Sequence, residues 1–194
     1  MASILSVEQL QGLAAGSTPN TITIPSGQTL YAPGHVINTY QATKTDVQAV
    51  NNFAMVDVTG LSITLTPKSA SSKFLIHYRV PCSGNYFTTY LNLLRDTTIL
   101  GANADGAGDN RLRVTSCHVS DQTISNSHGI MHVHTHAFLD SPATTNQITY
   151  KIQTCSRGSG NSHVNYINRS VPDRAQGEYD ARTISTMVIQ EIAQ

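Results

Sequence analysis

From about Gln41 onward, apolar and polar residues alternate almost everywhere. The segments FAMVDV, LSITLTP, KFLIHYRV, TTYLNLLRD, LRVTSCHVS, GIMHVHTHAFLD, NQITYKIQTC, HVNYINRS and RTISTMVIQEI all carry this period of two. It is the pattern of strands that bury one face. Turn clusters rich in Gly, Pro, Ser and Asn separate them, among them PKSASS, DGAGDN, DSPATTN and SRGSGN. About eight or nine short strands with no helices between them predict an all-β antiparallel sandwich or jelly roll. In LNLLRDTTILG, Asp96 sits at a turn between two apolar runs and Gly101 ends the second, which reads as a hairpin. The final segment has Ile184, Val188 and Ile192 on one face and Met187 and Ile189 on the other. Apolar on both faces, it is expected to be an inner strand covered on both sides. A two-layer sandwich covers only one, so a second subunit is expected on the other.

The first forty residues differ. Ser6 begins a capping box with Gln9, and Leu5 can staple onto Leu10. Leu10 and Leu13 share a face, and Gly12 or Gly16 ends a helix of roughly two to three turns. TITI and QTLY follow as brief extended pieces broken by Pro-Ser-Gly and Ala-Pro-Gly. This predicts an N-terminal attachment helix and extended neck over 1–40 and a head domain over 41–194.

Composition narrows the function classes. Charged residues make up 12% of the 194, about half the roughly 25% usual in soluble domains. Twelve basic and twelve acidic residues cancel, so no basic footprint points to nucleic acid. No apolar run is long enough for a membrane-spanning helix. MASILSVEQLQGLAAG has no apolar signal core, and no Lys or Arg precedes Lys44, so no secretory signal is expected. Cys82, Cys117 and Cys155 follow neither a disulfide framework nor a zinc spacing. They read as reduced thiols, and their odd number leaves an intermolecular disulfide open.

VDVTGLSITLTPKSASSKFLI, NLLRDTTILG, FLDSPATTNQITYKIQT and TISTMVIQEI, in this order, resemble small phage virion proteins of the tail-fibre, head-fibre or decoration type. The resemblance covers roughly residues 50–194, and the opening MASIL with its neck is similar to their attachment region. It implies a jelly-roll head like those of tumour necrosis factor and complement C1q, assembled as a homotrimer. It also implies a place in the virion as a short tail fibre, held to other virion proteins by its N-terminus and touching host-surface glycan with its head. Capsid decoration is the alternative. Neither the histidine-rich segment nor the DGAGDN loop belongs to the shared pattern.

The residues offer little catalytic chemistry. No phosphate-binding loop and no Gly-x-Ser-x-Gly elbow occur. Cys117 and His118 are neighbours and point to opposite faces of a strand. Asp105, Asp109, Asp140, Glu178 and Asp180 all fall near predicted turns, where turn chemistry and solubility account for them. Asn103 to Asp109 has the oxygens of a loose calcium loop without the spacing or closing Glu of an EF-hand. No enzyme is expected. Tyr86, Tyr90, Asn161, His163 and Tyr166 are residue types that suit loops contacting sugars, or equally strand edges and core.

His132, His134 and His136 stand apart. In an extended chain, residues i and i+2 lie about 6.5–7 Å apart on one face, so two of them can each send a nitrogen to one metal at about 2.0–2.1 Å. On a threefold axis, one such pair from each chain would give an octahedral imidazole set suited to iron, nickel or cobalt. The competing readings are a pH-sensitive subunit interface, titrating at about pH 6–6.5, and a plain polar strand face. In that last reading Met131, Val133, Thr135 and Ala137 form the core side and the histidines line the outside.

Overall fold

The computed structural model describes residues 21–26, 28, 30–85, 88–102, 112–119, 130–157, 163–175, 177 and 180–194. The expected N-terminal helix and the DGAGDN loop lie outside these residues. The chain divides into two units, Met1–Tyr31 and Ala32–Gln194. In the first, the described residues Thr21–Pro25 are exposed and lack regular secondary structure, and the Gln28 N–H closes a turn on the Pro25 carbonyl at 3.0 Å.

The second unit is all-β among its described residues. Its strands are β1 (Val36–Lys44), β2 (Gln48–Val50), β3 (Val56–Leu65), β4 (Lys73–Gly84), β5 (Thr88–Arg95), β6 (Thr98–Leu100), β7 (Ser116–Val119), β8 (His132–Asp140), β9 (Ile148–Arg157), β10 (Asn165–Ile167) and β11 (Ser185–Ile192). All pairings are antiparallel. One sheet has the order β1-β11-β4-β10-β2, with β8 along the other edge of β4. The other has β3-β9-β5-β6, with β7 also on β5. The β1 strand begins within the stretch expected to be neck. Only Tyr40, Ala42 and Lys44 turn inward there, alternating with exposed Thr39, Gln41 and Thr43. So thin a stripe becomes a strand because β11 offers it a partner from Val36 to Lys44.

The two sheets pack as a sandwich. Phe74, Ile76, Tyr78 and Val80 of β4 and Met187 and Ile189 of β11 meet Leu61, Ile63, Leu91, Leu93, Tyr150 and Ile152 of the other sheet. Burying each aliphatic or aromatic side chain is worth about 1.5–3 kcal/mol. FAMVDV and LSITLTP form the single strand β3, whose register with β9 shifts between Asp57 and Ser62. Gly60, at φ 84°, supplies the left-handed backbone of that irregularity. The predicted hairpin closes as β5 and β6 around Asp96, at φ 53°. There the Asp96 carboxylate accepts from the Thr149 N–H at 2.9 Å.

The outward faces are unequal. On β3 and β9 the outer face carries Asp57, Ser62, Thr64, Thr149, Lys151 and Gln153. Asp57 takes bonds from Lys151 at 3.1 Å and Gln153 at 2.7 Å. On the other sheet, Leu75 lies opposite both Leu139 and Gln190, and His77 opposite both Ala137 and Val188. Leu139 and Val133 there are 50% and 46% exposed, as is Ile184 at 47%. β11 is an inner strand between β1 and β4, with Met187 and Ile189 fully buried and Val188 and Ile192 half-covered.

One buried amide ties the start and end of the sandwich together. Asn168, at φ 66°, donates through Nδ2 to the carbonyls of Lys44 (2.9 Å) and Asp46 (3.0 Å) and accepts from Ser185 Oγ at 2.6 Å.

Candidate functional site

β8 runs antiparallel to β4 over its whole length, pairing Phe74 with Asp140 at one end and Cys82 with His132 at the other. Strand alternation therefore puts His132, His134, His136, Phe138 and Asp140 on one face. That face is the inner one: His134 and Asp140 are buried, while Val133, Thr135, Ala137 and Leu139 are exposed. The expectation that Val133 and Ala137 form the core side is thus reversed. Phe138 packs against the core and Asp140 is held inside by Arg95 and Tyr150, and these two residues set the phase for the histidines.

His134, 5% exposed, bridges the two sheets. Its Nε2 lies 2.8 Å from Thr89 Oγ1 of β5 and its Nδ1 3.0 Å from Ser116 Oγ of β7. Ser116 Oγ also meets the Tyr78 hydroxyl at 3.2 Å, and Thr89 reaches the buried Cys82 thiol. Burial, helped by the neighbouring His118 and His132, pushes the His134 pKa down to about 4. Burial likewise pushes the Cys82 thiol up to about 12. At neutral pH the ring is uncharged, one nitrogen donating and the other accepting, and Cys82 is a thiol. Both ring nitrogens are engaged by hydroxyls, and neither by a carboxylate that would orient the ring as a general base. Chemically, this is a polar bridge between sheets.

The outer two histidines have different neighbours. His132 stacks on His118 of β7 with ring centroids 3.3 Å apart and planes 27° apart. Burial lowers the pKa of both rings, and the proximity of His118 lowers that of His132 further. His132 Nε2 is shielded from solvent and has no hydrogen-bond partner among the described residues. His136 lies between Tyr78 and Phe138, with centroids at 6.1 and 6.4 Å. It also crowds Gly101, where an added Cβ would stand 3.0 Å from His136 Nε2. Among the described residues no group of three or more His, Cys, Asp or Glu gathers around a common point. His132, His134 and His136 are therefore engaged separately, each by its own partners. A cleft of about 290 Å³ opens beside the first two, lined by His118, His132, His134, Ser116, Cys117 and Thr135.

Other sequence candidates are dispersed. Asp140, expected at a turn, is 6% exposed. Both its oxygens lie 2.7 Å from Arg95 Nη1, and Oδ2 also accepts from the Tyr150 hydroxyl at 2.7 Å. Asp180 is paired with Arg174, while Asp105, Asp109 and Glu178 lie outside the described residues. All three cysteines are free thiols, Cys82 and Cys155 buried and Cys117 exposed. Of the possible sugar-contacting residues, His163 is buried, and the Arg169 guanidinium covers the Tyr166 ring at 3.9 Å. Tyr90 is half-buried in β5, and Tyr86 and Asn161 lie outside the described residues. The partners Thr89, Ser116 and His118 could not be assigned from sequence, because only the sheet topology brings β5 and β7 against β8. Neither the known protein-family models nor the curated proteins compared with this chain give a match.

Proposed function

We propose that the protein is a structural, non-enzymatic component of a bacteriophage virion, a short homotrimeric tail fibre. Its N-terminal segment attaches to other virion proteins and its head meets the host surface, with cell-surface glycan as the ligand class. The observation that carries this reading is the inequality of the two outer sheet faces. One is a hydrogen-bonded polar surface of the kind water covers. The other exposes Val133, Leu139 and Ile184 beside half-covered Leu75, Val188 and Ile192, a composition suited to packing against further copies. The strand orders β1-β11-β4-β8 and β3-β9-β5-β7 support a jelly roll. The resemblance of its sequence motifs to those of phage virion proteins supports the setting.

Light scattering on the eluted protein tests the assembly. A mass near three times the 20.9 kDa chain is expected, and Leu139→Glu with Ile184→Glu should reduce it to one. A wild-type monomer would sink the reading. Copy number in purified virions separates fibre from decoration protein, since decoration requires far more copies per particle.

A further inference from the structure

We propose that His77 makes the assembly of this protein reversible with pH. Neutral, its imidazole is covered between copies at the centre of the β1-β11-β4-β8 face; protonated, it drives them apart. The inference rests on the assembly reading above, and its test separates the two.

The pairing registers lay this face out in rows across four strands. One row is Thr39, Gln190, Leu75 and Leu139. The next is Gln41, Val188, His77 and Ala137, and the third is Thr43, Thr186, Arg79 and Thr135. Residues opposite one another on paired strands share a face, and here that face is the outer one. His77 therefore sits in the middle row of an inner strand, flanked by Val188 and Ala137. The three histidines of β8 point inward, so among these four strands His77 is the one imidazole that faces out.

Charge on the face is one-sided. Lys73 and Arg79, both on β4, are its other charged side chains. No Asp or Glu of the four strands points outward, because Asp140 and Glu191 are buried on the inner face. From β11, His77 meets Thr186, Val188 and Gln190, and from β8 it meets Thr135, Ala137 and Leu139, all uncharged. On its own strand the nearest charge is Arg79, whose Nη1 donates to the Ile184 carbonyl at 3.2 Å. A proton on His77 thus finds a like charge two residues away and no carboxylate. An imidazole in water takes up its proton at about pH 6.5. Between packed copies the same proton would be a desolvated, unpaired charge. The assembled form binds it less well, so acid favours separated chains. With one proton excluded per copy, the association constant of a trimer falls by up to about a thousandfold per pH unit below about pH 6.

Light scattering on the full-length chain at pH 7.5 and pH 5.5 tests this, with circular dichroism at both to follow folding. Wild type should run as three chains at pH 7.5 and as one folded chain at pH 5.5. His77→Gln should hold three chains at both values, and His77→Lys should give one chain at both. Three wild-type chains at both pH values, unfolding at pH 5.5, or dissociation of His77→Gln like wild type overturns the proposal and leaves the assembly reading standing. A wild-type monomer at pH 7.5 ends both. Diethylpyrocarbonate labelling at pH 7.5 supplies a second measurement. His77 should be protected in wild type relative to the Leu139→Glu, Ile184→Glu variant, and equal labelling refutes its burial between copies.

Discussion

Replacing Asp140 by Ala distinguishes its two readings by several kcal/mol. A carboxylate in a solvated turn would be lost at a cost within about 0.5 kcal/mol. In the sandwich its removal strands two partners. The Tyr150 hydroxyl belongs to a residue that is 0% exposed, and leaving it unbonded costs about 1–3 kcal/mol. The Arg95 guanidinium also loses a charge-assisted contact at 2.7 Å. Breaking a fully buried pair costs about 3–5 kcal/mol, but the Arg95 side chain is 23% exposed and can recover water. We therefore expect a total of about 3–4 kcal/mol, or roughly 10 °C in thermal midpoint for a domain of this size. Urea unfolding of wild type, Asp140→Ala, Tyr150→Phe and the double variant completes a cycle. The double variant removes the stranded hydroxyl, so its cost should fall short of the sum of the two single costs by about 1–2 kcal/mol. A cost below about 1 kcal/mol for Asp140→Ala, or strict additivity, would refute the buried-triad account.

Three further outcomes are expected. His134 titrates at about 4 when folded and near 6.5 when unfolded, so below pH 6.5 the unfolded chain binds more protons. Its contribution is fully present above pH 6.5 and is lost as pH falls through about 4, amounting to about 3 kcal/mol. Urea melts in EDTA from pH 7.5 to 4.5 should show this slope, and His134→Gln should flatten it; equal slopes would exclude His134 as the source. Gly101→Ala adds a Cβ 3.0 Å from His136 Nε2 and 3.2 Å from Phe138 at a φ of 64°. A loss of about 1–3 kcal/mol by thermal unfolding is expected, and an unchanged midpoint contradicts the crowding. Asn168→Ala removes three side-chain bonds, two of them fully buried, and should cost about 3 kcal/mol. Asn168→Gly relieves only the left-handed backbone and should recover about 1 kcal/mol of that; equal stability of the two would show the φ of 66° to be unstrained.

The strand content was legible wherever large apolar residues alternated. In β4, Phe74, Ile76 and Tyr78 point inward as their spacing predicts, and β5 with β6 forms the hairpin read around Asp96. Strand β2, three residues long, is too short to display a period. The β8 phase was misread for a physical reason. Counting imidazoles as polar and Val133 and Ala137 as apolar favours the opposite face, yet an edge strand tolerates exposed aliphatics. The decisive residue, Asp140, resembles a turn residue until Arg95 and Tyr150 are seen around it. The site is less legible still, because His118 lies fourteen residues from His132 in sequence and meets it only through the stacking of two sheets.

The position of β11 has a consequence for how the molecule comes into being. Among the described residues, β1 pairs only with β11 and is separated from it by most of the chain. During synthesis, residues 36–44 must therefore emerge and wait, as must the side of β4 that β11 will cover. Both are unpaired edges of the kind that recruit other strands. Only when residues 185–192 leave the ribosome can the sheet close and the Asn168 amide find Ser185. A released chain truncated near residue 180 would keep every strand but β11, with β1 and one side of β4 left unpaired, and a β11 peptide supplied in trans is the natural molecule to join them.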